Sequence, residues 1–167
     1  EAMNDAVFIV NADADLIDYN TAFISFHRFS EEENVATSLK EIESRIALRR
    51  EGGEELEGEL WPVRRALAGE RASSVTYTLQ HRNGDESWVG SYSYSPFGPD
   101  DDTISGAVIV ARDITEMKRA EEALVASEKK YRQLVETANS IILRWDSEGR
   151  INFVNSFALR TLGYEES

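Results

Sequence analysis

GAVIVARDITEMKRAEEALVASEKKYRQLVETANSIILRWDSEGRINFVN, residues 106–155, is the stretch that decides the fold. An apolar run ends at Asp113-Ile114-Thr115, a long charged segment follows, and then the pattern that opens the chain begins again. NSIILRWDSEGRINFVN, residues 139–155, aligns without a gap with NDAVFIVNADADLIDYN, residues 4–20. The pairs that are apolar in both include Ala6/Ile141, Val7/Ile142, Phe8/Leu143, Leu16/Ile151 and Tyr19/Val154. Such an internal repeat predicts one complete module and the beginning of a second, joined by a helix.

Composition restricts the functional classes that need to be considered. The 167 residues are 41% hydrophobic and 29% charged, as in ordinary soluble domains, and no segment approaches the ~20 apolar residues of a membrane span. We therefore expect a cytoplasmic protein without membrane contact, and a fragment, since it begins with Glu1. A net charge of -13 argues against nucleic-acid binding, and the lack of cysteine excludes disulfides and Cys-ligated zinc. No complete metal-binding motif is present, so no metal site is predicted.

The first part of the chain alternates strand and helix patterns. Two short apolar runs, 6–10 and 16–20, flank polar residues that favour a hairpin connection, and residues 21–29 have an apolar face of helical period. Residues 31–69 remain helical in pattern, with SLKEIESRIALRR and LWPVRRALAGE as two amphipathic helices.

Strands are predicted again after residue 73. Asn83-Gly84-Asp85 lies between the strand-like runs 74–82 and 86–97, and Asn-Gly in this setting is a strong hairpin signal. A third strand is expected at 106–112. A strand pair, then helices, then three antiparallel strands is an α+β arrangement in which the helices cover one face of a five-stranded antiparallel sheet.

Three motifs in this order give the chain a family resemblance. DAVFIVNADADLIDYN, HRNGDESWV and SGAVIVARDITEMKRAE together resemble a PAS domain with its C-terminal PAC motif. The resemblance implies a PAS domain over residues 1–116, an amphipathic linker helix over 117–138, and the N-terminal part of a second, truncated PAS domain over 139–167. Leaving the apolar residues of this half-module in water is costly, so we expect it to pack against a second chain.

The resemblance also implies a function. PAS domains of this kind are regulatory sensors in bacterial signalling proteins such as histidine kinases and diguanylate cyclases, so we expect a module that relays a signal to an output domain in the same polypeptide. A ligand-free PAS dimerisation and spacer module is the alternative. No catalysis is expected, because His27 and His81, the only histidines, lack a nucleophile or a phosphoacceptor context. A small enzyme of the ketosteroid-isomerase type, with an aspartate base beside tyrosines, is a third hypothesis.

The ligand site depends on which face of the strand around residues 88–95 points inward. Trp88, Tyr92 and Tyr94 share one face with Gly90, whereas the other face carries small hydroxyl residues. If the hydroxyl face is inside, it leaves a pocket; if the aromatic face is inside, it fills the core. The candidate ligand-binding residues are Phe8, Phe23, Phe26, Trp61, His81, Trp88, Ser91 and Ser93.

Cofactor chemistry is only partly restricted by the sequence. A metabolite or a non-covalent flavin is compatible with the resemblance, and cysteinyl-flavin photochemistry is excluded because the chain has no cysteine. Haem is disfavoured because LWPVRRALAGE lacks the axial histidine that haem-binding PAS domains carry there, which leaves His81 as a fallback ligand.

Signal transfer and self-association are assigned to the end of the sheet and the linker. Asp113-Ile114-Thr115 matches the signal-transfer motif of PAS domains, and its side chains are suited to capping the helix that follows. The linker has a heptad spacing typical of a coiled coil, and we expect a homodimer through this helix and the outer sheet face. An exposed helix packed on its own domain is the alternative. The predicted dimer residues are Met117, Ala120, Leu124, Tyr131 and Leu134.

Overall fold

The computed structural model describes residues 5–29, 36, 38–50, 53–99 and 103–164, and the chain divides into two compact units, Glu1–Lys118 and Arg119–Ser167. The first unit contains one antiparallel sheet in the order β2-β1-β6-β5-β4-β3. Its strands are β1 (Ala6–Asn11), β2 (Leu16–Tyr19), β3 (Ile46–Arg49), β4 (Ala72–His81), β5 (Ser87–Phe97) and β6 (Gly106–Asp113). Its helices are α1 (Thr21–Phe26), α2 (Leu39–Arg45) and α3 (Pro62–Leu67), and α4 (Thr115–Thr137) begins at its end. The predicted α+β layout is confirmed.

The described sheet has six strands, one more than predicted. The helix predicted over SLKEIESRIALRR ends at Arg45, and the next four residues form β3. The prediction was wrong there because Ile46, Ala47 and Leu48 are all buried, and Leu48 pairs with Leu79 of β4. Pairing and burial against a distant strand outweigh the helical period of the local sequence.

The aromatic face of β5 points inward. Trp88, Tyr92 and Tyr94 are buried, while Ser91 and Ser93 lie on the opposite face and are half-buried. A Cβ atom built on Gly90 would lie 2.7 Å from Cζ of Phe26, so a helix side chain fills the space above this glycine. Of the two arrangements that the sequence left open, the structure has the filled aromatic core.

The second unit repeats the opening of the first. It contains β7 (Leu143–Trp145) paired antiparallel with β8 (Ile151–Val154), followed by α5 (Ser156–Leu162). Asn20 and Asn155 make equivalent contacts: the Oδ1 of Asn20 accepts from the amide of Val7, and the Oδ1 of Asn155 accepts from the amide of Ile142. The second unit therefore has the same strand, strand and helix order as the opening of the first.

Apolar residues that are buried in the first unit are exposed in the second. Ala6 and Val10 are at most 2% exposed, whereas Ile141 and Trp145 at the equivalent positions are 46% and 64% exposed. The sheet of the second unit has only two described strands, and the described residues include no counterpart of α2, α3 and the strands β3 to β6 of the first unit. The packing of this half-module against a second chain stays a prediction.

Among the described residues, no helix is both long and apolar enough to cross a membrane.

Candidate functional site

The candidate site is the junction at which β6 passes into α4. The amide of Ile114 donates to the carbonyl oxygen of Val89 on β5 over 2.9 Å, and the amide of Val89 donates to Oγ1 of Thr115 over 3.0 Å. The amide of Thr115 donates to Oδ1 of Asp113 over 2.9 Å, and the Thr115 hydroxyl donates to the same oxygen. Ile114 and Thr115 are both buried. These bonds fix the first residue of α4 to the neighbouring strand.

Asp113 is ionised in this arrangement. Burial favours the neutral carboxyl group, but the hydrogen bonds from Thr115 and from Arg28 outweigh it and hold the pKa of Asp113 below its ordinary value. The charge is opposite in sign to the partial positive charge at the start of a helix, so the ionised carboxylate stabilises the first turn of α4.

Arg28 connects this junction with the end of α1. Its Nη2 donates to Oδ2 of Asp113 over 2.6 Å, and its Nη1 donates to the carbonyl oxygen of Ser25 over 2.9 Å. Its guanidinium carbon lies 5.2 Å from the ring centroid of Trp88, in the range of a cation–π contact. The Arg28 side chain therefore contacts α1, β5 and the junction.

His27, the residue before Arg28, is buried among aromatic rings. It stacks on Phe29 with a centroid distance of 5.5 Å, contacts Phe26 edge-on, and lies 4.3 Å from the ring of Phe23. Its Nδ1 lies 2.9 Å from the carbonyl oxygen of Phe23, so the neutral ring donates from this nitrogen. Burial lowers the pKa of His27 to about 4, although the hydrogen bond to Phe23 opposes this.

Trp88 carries an unusual polar group in the core. The side chain is 1% exposed, and its Nε1 is the one buried side-chain nitrogen or oxygen, among those of the described residues, that has no hydrogen-bond partner. The ring lies 5.4 Å from that of His81. A buried donor without an acceptor is costly, and an acceptor atom from a ligand would remove that cost.

The predicted ligand residues separate into two groups. Phe8, Phe23, Phe26, Trp61 and Trp88 all belong to one buried cluster, and His81 lies half-buried beside Trp88. Ser91 and Ser93 lie on the outer face of the sheet, so the structure does not bring them to this cluster. A ligand that contacts the aromatic cluster would not reach those two serines.

The predicted dimer residues lie on an exposed helix. Met117, Leu124, Tyr131 and Leu134 are 60–70% exposed, and Ala120 is also exposed. The outer sheet face of the first unit has a separate groove of about 460 Å³. Ser73, Ser93, Ser95, Val108 and Val110 line it, together with Arg71, Ala72 and Tyr94.

The described residues offer no support for the enzyme hypothesis. Among the described residues, the one carboxylate bonded to a β5 tyrosine is that of Glu70, whose Oε1 accepts from the hydroxyl of Tyr94 over 3.3 Å. Arg65 pairs with Glu70 and, through its hydrogen bond, holds the pKa of Glu70 below its ordinary value, so this carboxylate is a weak base. In the described part of the chain, no three His, Cys, Asp or Glu residues are grouped to hold a metal ion.

Sequence reasoning missed Arg28 and the packing of His27. Arg28 lies eight residues after Asn20 and has a φ of 57°. Gly163 lies eight residues after Asn155 and has a φ of 80°. Extending the repeat alignment to these two residues would have shown an arginine where the second module has a glycine. That substitution is the signal that the sequence contained.

Family models match the chain twice. The model described as PAS fold matches residues 1–119, which is more than half of the chain, and the model described as PAS domain matches residues 129–167. Comparison with curated protein sequences gives no match.

Several solved structures of this kind are similar at low sequence identity. The PAS domain of a protein from Colwellia psychrerythraea is 16% identical, with 68% of this chain and 89% of that chain covered and a TM-score of 0.45. The PAS domain of an HTR-like protein from Haloarcula marismortui is 19% identical, with coverages of 68% and 84% and a TM-score of 0.44. An RNA-binding light-oxygen-voltage receptor is 18% identical, with coverages of 77% and 35% and a TM-score of 0.49.

Proposed function

This chain belongs to the PAS domain family, and from that premise we propose that it is a cytoplasmic sensor and signal-relay module of a multidomain bacterial signalling protein. It couples the state of its aromatic core to the linker helix α4 and, through that helix, to an output domain in the same polypeptide. It has no catalytic activity of its own in this proposal.

One observation carries the relay. Val89 accepts from the amide of Ile114 and donates to the hydroxyl of Thr115, while its neighbours Trp88 and Gly90 face the core. A ligand or redox change that moves this part of β5 therefore moves the first residue of α4 with it. Small shifts and rotations of a helix are among the movements by which switching proteins transmit a change.

Self-association is the second part of the proposal. The exposed apolar residues of α4 have the spacing of a coiled-coil seam, and burying them in a homodimer would remove that apolar surface from water. The groove on the outer sheet face supplies a second apolar surface for the partner chain. In a dimer, a rotation of α4 in one chain would be transmitted to α4 of the partner chain.

A ligand-free dimerisation and spacer module is a competing function, and the filled core favours it. The ring of Phe26 packs so closely over Gly90 that a single added methyl group would clash there. Phe26 and Tyr77 each contact Tyr92 edge-on, with centroid distances of 5.7 Å and 5.5 Å. In the spacer function the core binds no ligand and transmits strain between neighbouring domains.

Native mass spectrometry of the purified full chain separates the two functions. We expect a dimer that carries a small molecule, released on denaturation, because the buried Nε1 of Trp88 has no acceptor among the described residues. Trp88→Phe keeps an aromatic ring, although a smaller one, and removes that donor, so its dimer should retain at most about a tenth of the bound ligand. Dimers of the unsubstituted chain that carry no ligand would favour the spacer function, and a monomer would contradict self-association.

Thr115→Val tests the relay. Valine has nearly the shape of threonine but cannot bond to Val89, so we expect amide hydrogen exchange to rise about tenfold at Val89 and in the first turn of α4 together. Thr137→Val is the matched control, because the Thr137 hydroxyl donates within α4, to the carbonyl oxygen of Gln133. Faster exchange at Val89 with an unchanged helix would show that strand and helix are not coupled.

A further inference from the structure

Arg28 holds a backbone conformation that its side chain disfavours. Its φ of 57° lies in the left-handed region, where the Cβ atom of an L-residue crowds the backbone and where glycine is the usual residue. It comes just after α1, which ends at Phe26, and its amide donates to the carbonyl oxygen of Ser25. A non-glycine residue in this conformation requires compensation from its surroundings.

The second module shows how the same turn is made without strain. Asn155 caps α5 as Asn20 caps α1, since each Oδ1 accepts an amide three residues later. Eight residues after these asparagines stand Gly163 and Arg28, both in the left-handed conformation. The fold therefore accepts glycine at this position, and the backbone gains nothing from the arginine.

In this conformation the Arg28 side chain reaches Asp113, which is 85 residues away in the sequence, as well as the carbonyl oxygen of Ser25 and the ring of Trp88. The side chains of Arg28 and Asp113 are 31% and 33% exposed, and the Nε of Arg28 also lies 3.8 Å from the carboxylate of Glu86. Asp113 uses Oδ1 for Thr115 and Oδ2 for Arg28. With both oxygens held, the carboxylate is fixed in the orientation in which it caps α4.

We propose that Arg28 is a positioning residue that latches the end of α1 to Asp113 and thereby sets the start of the output helix. This inference deepens the proposed relay and rests on it. It adds a second route out of the core, because α1 also carries Phe23 and Phe26 of the aromatic cluster. A movement of α1 would then reach α4 through the ion pair of Arg28 with Asp113, as well as through the bonds that Val89 makes to the start of α4.

Arg28→Gly in the full chain is the decisive variant, since it installs the residue that the second module uses. We expect about tenfold faster exchange of the Thr115 amide, while the thermal midpoint is higher than that of Arg28→Ala because glycine relieves the left-handed strain. Arg28→Lys, which keeps a charge for Asp113, should restore part of the protection. Arg112→Ala breaks the neighbouring ion pair with Asp5 and should leave Thr115 unchanged.

A double-mutant cycle with Asp113→Asn tests whether Arg28 acts through Asp113. Asparagine keeps an acceptor for Thr115 but loses the charge, so adding Arg28→Gly to it should change the exchange of Thr115 by less than twofold. Full protection of Thr115 in the folded Arg28→Gly protein would overturn the latch and leave the Thr115→Val result standing. Loosening by Arg28→Gly together with an uncoupled Thr115→Val protein would support the latch and reject the relay.

Discussion

The first unit is expected to lose about 3 kcal/mol of unfolding free energy as the pH falls from 6.5 to 4, because His27 is buried in its neutral form. Burial lowers the pKa of His27 from 6.5 to about 4, so between these values the unfolded chain binds a proton that the folded chain does not. The stabilising contribution is complete above pH 6.5, declines through this window, and is lost below about pH 4. The size follows from about 1.4 kcal/mol for each pH unit between the two values.

His27→Gln separates this effect from the carboxylates, which lose their contribution at lower pH. Glutamine keeps an amide donor for the carbonyl oxygen of Phe23 but does not titrate. Urea unfolding, followed by the fluorescence of the buried Trp61 and Trp88, should show a much smaller decline between pH 6.5 and 4 in this variant. His81→Gln, on a half-buried histidine, should retain the decline. Equal slopes in the unsubstituted protein and in His27→Gln would mean that the folded protein already accommodates a charged His27.

The strands of the sheet could be predicted wherever a local pattern specifies them. Alternation in β1 and the Asn83-Gly84 turn between β4 and β5 are signals contained within a few residues, and the strands lie close to the predicted bounds. β3 could not be predicted in this way, because IALR continues the period of α2. Only its pairing with β4, a contact distant in sequence, makes it a strand.

The candidate site, like the sheet, could be predicted only where a local pattern specifies it. Asp113-Ile114-Thr115 could be predicted from its position at the end of the last strand, and the structure places it at the start of α4. The inward face of β5 could not, since aromatic and hydroxyl residues are each suited to a core or a binding surface. The ion pair of Arg28 with a residue so distant in sequence leaves no local pattern, and the signal for Arg28 appears only when the repeat is extended to Gly163.

Asn20→Ala is expected to cost about 2 to 3 kcal/mol of unfolding free energy in the first unit. The Asn20 side chain accepts from the amides of Val7 and Phe23 and donates to the carbonyl oxygen of Asp5. Alanine removes a helix cap and leaves partly buried backbone groups of β1 without partners, and these two losses add. The free energy is measured by urea unfolding at pH 7, followed by tryptophan fluorescence.

Asn11→Ala is the matched control, because Asn11 also accepts two backbone amides, those of Asp13 and Asp15, but in an exposed turn where water replaces the lost bonds. It should cost less than about 1 kcal/mol. Asn155→Ala makes the Asn20 change in the second module, where it should release exchange at the amides of Ile142 and Ala158 without altering the unfolding of the first unit. If Asn20→Ala cost no more than Asn11→Ala, the asparagine that both repeats share would be a sequence marker of the module and not one of the contacts that hold it together.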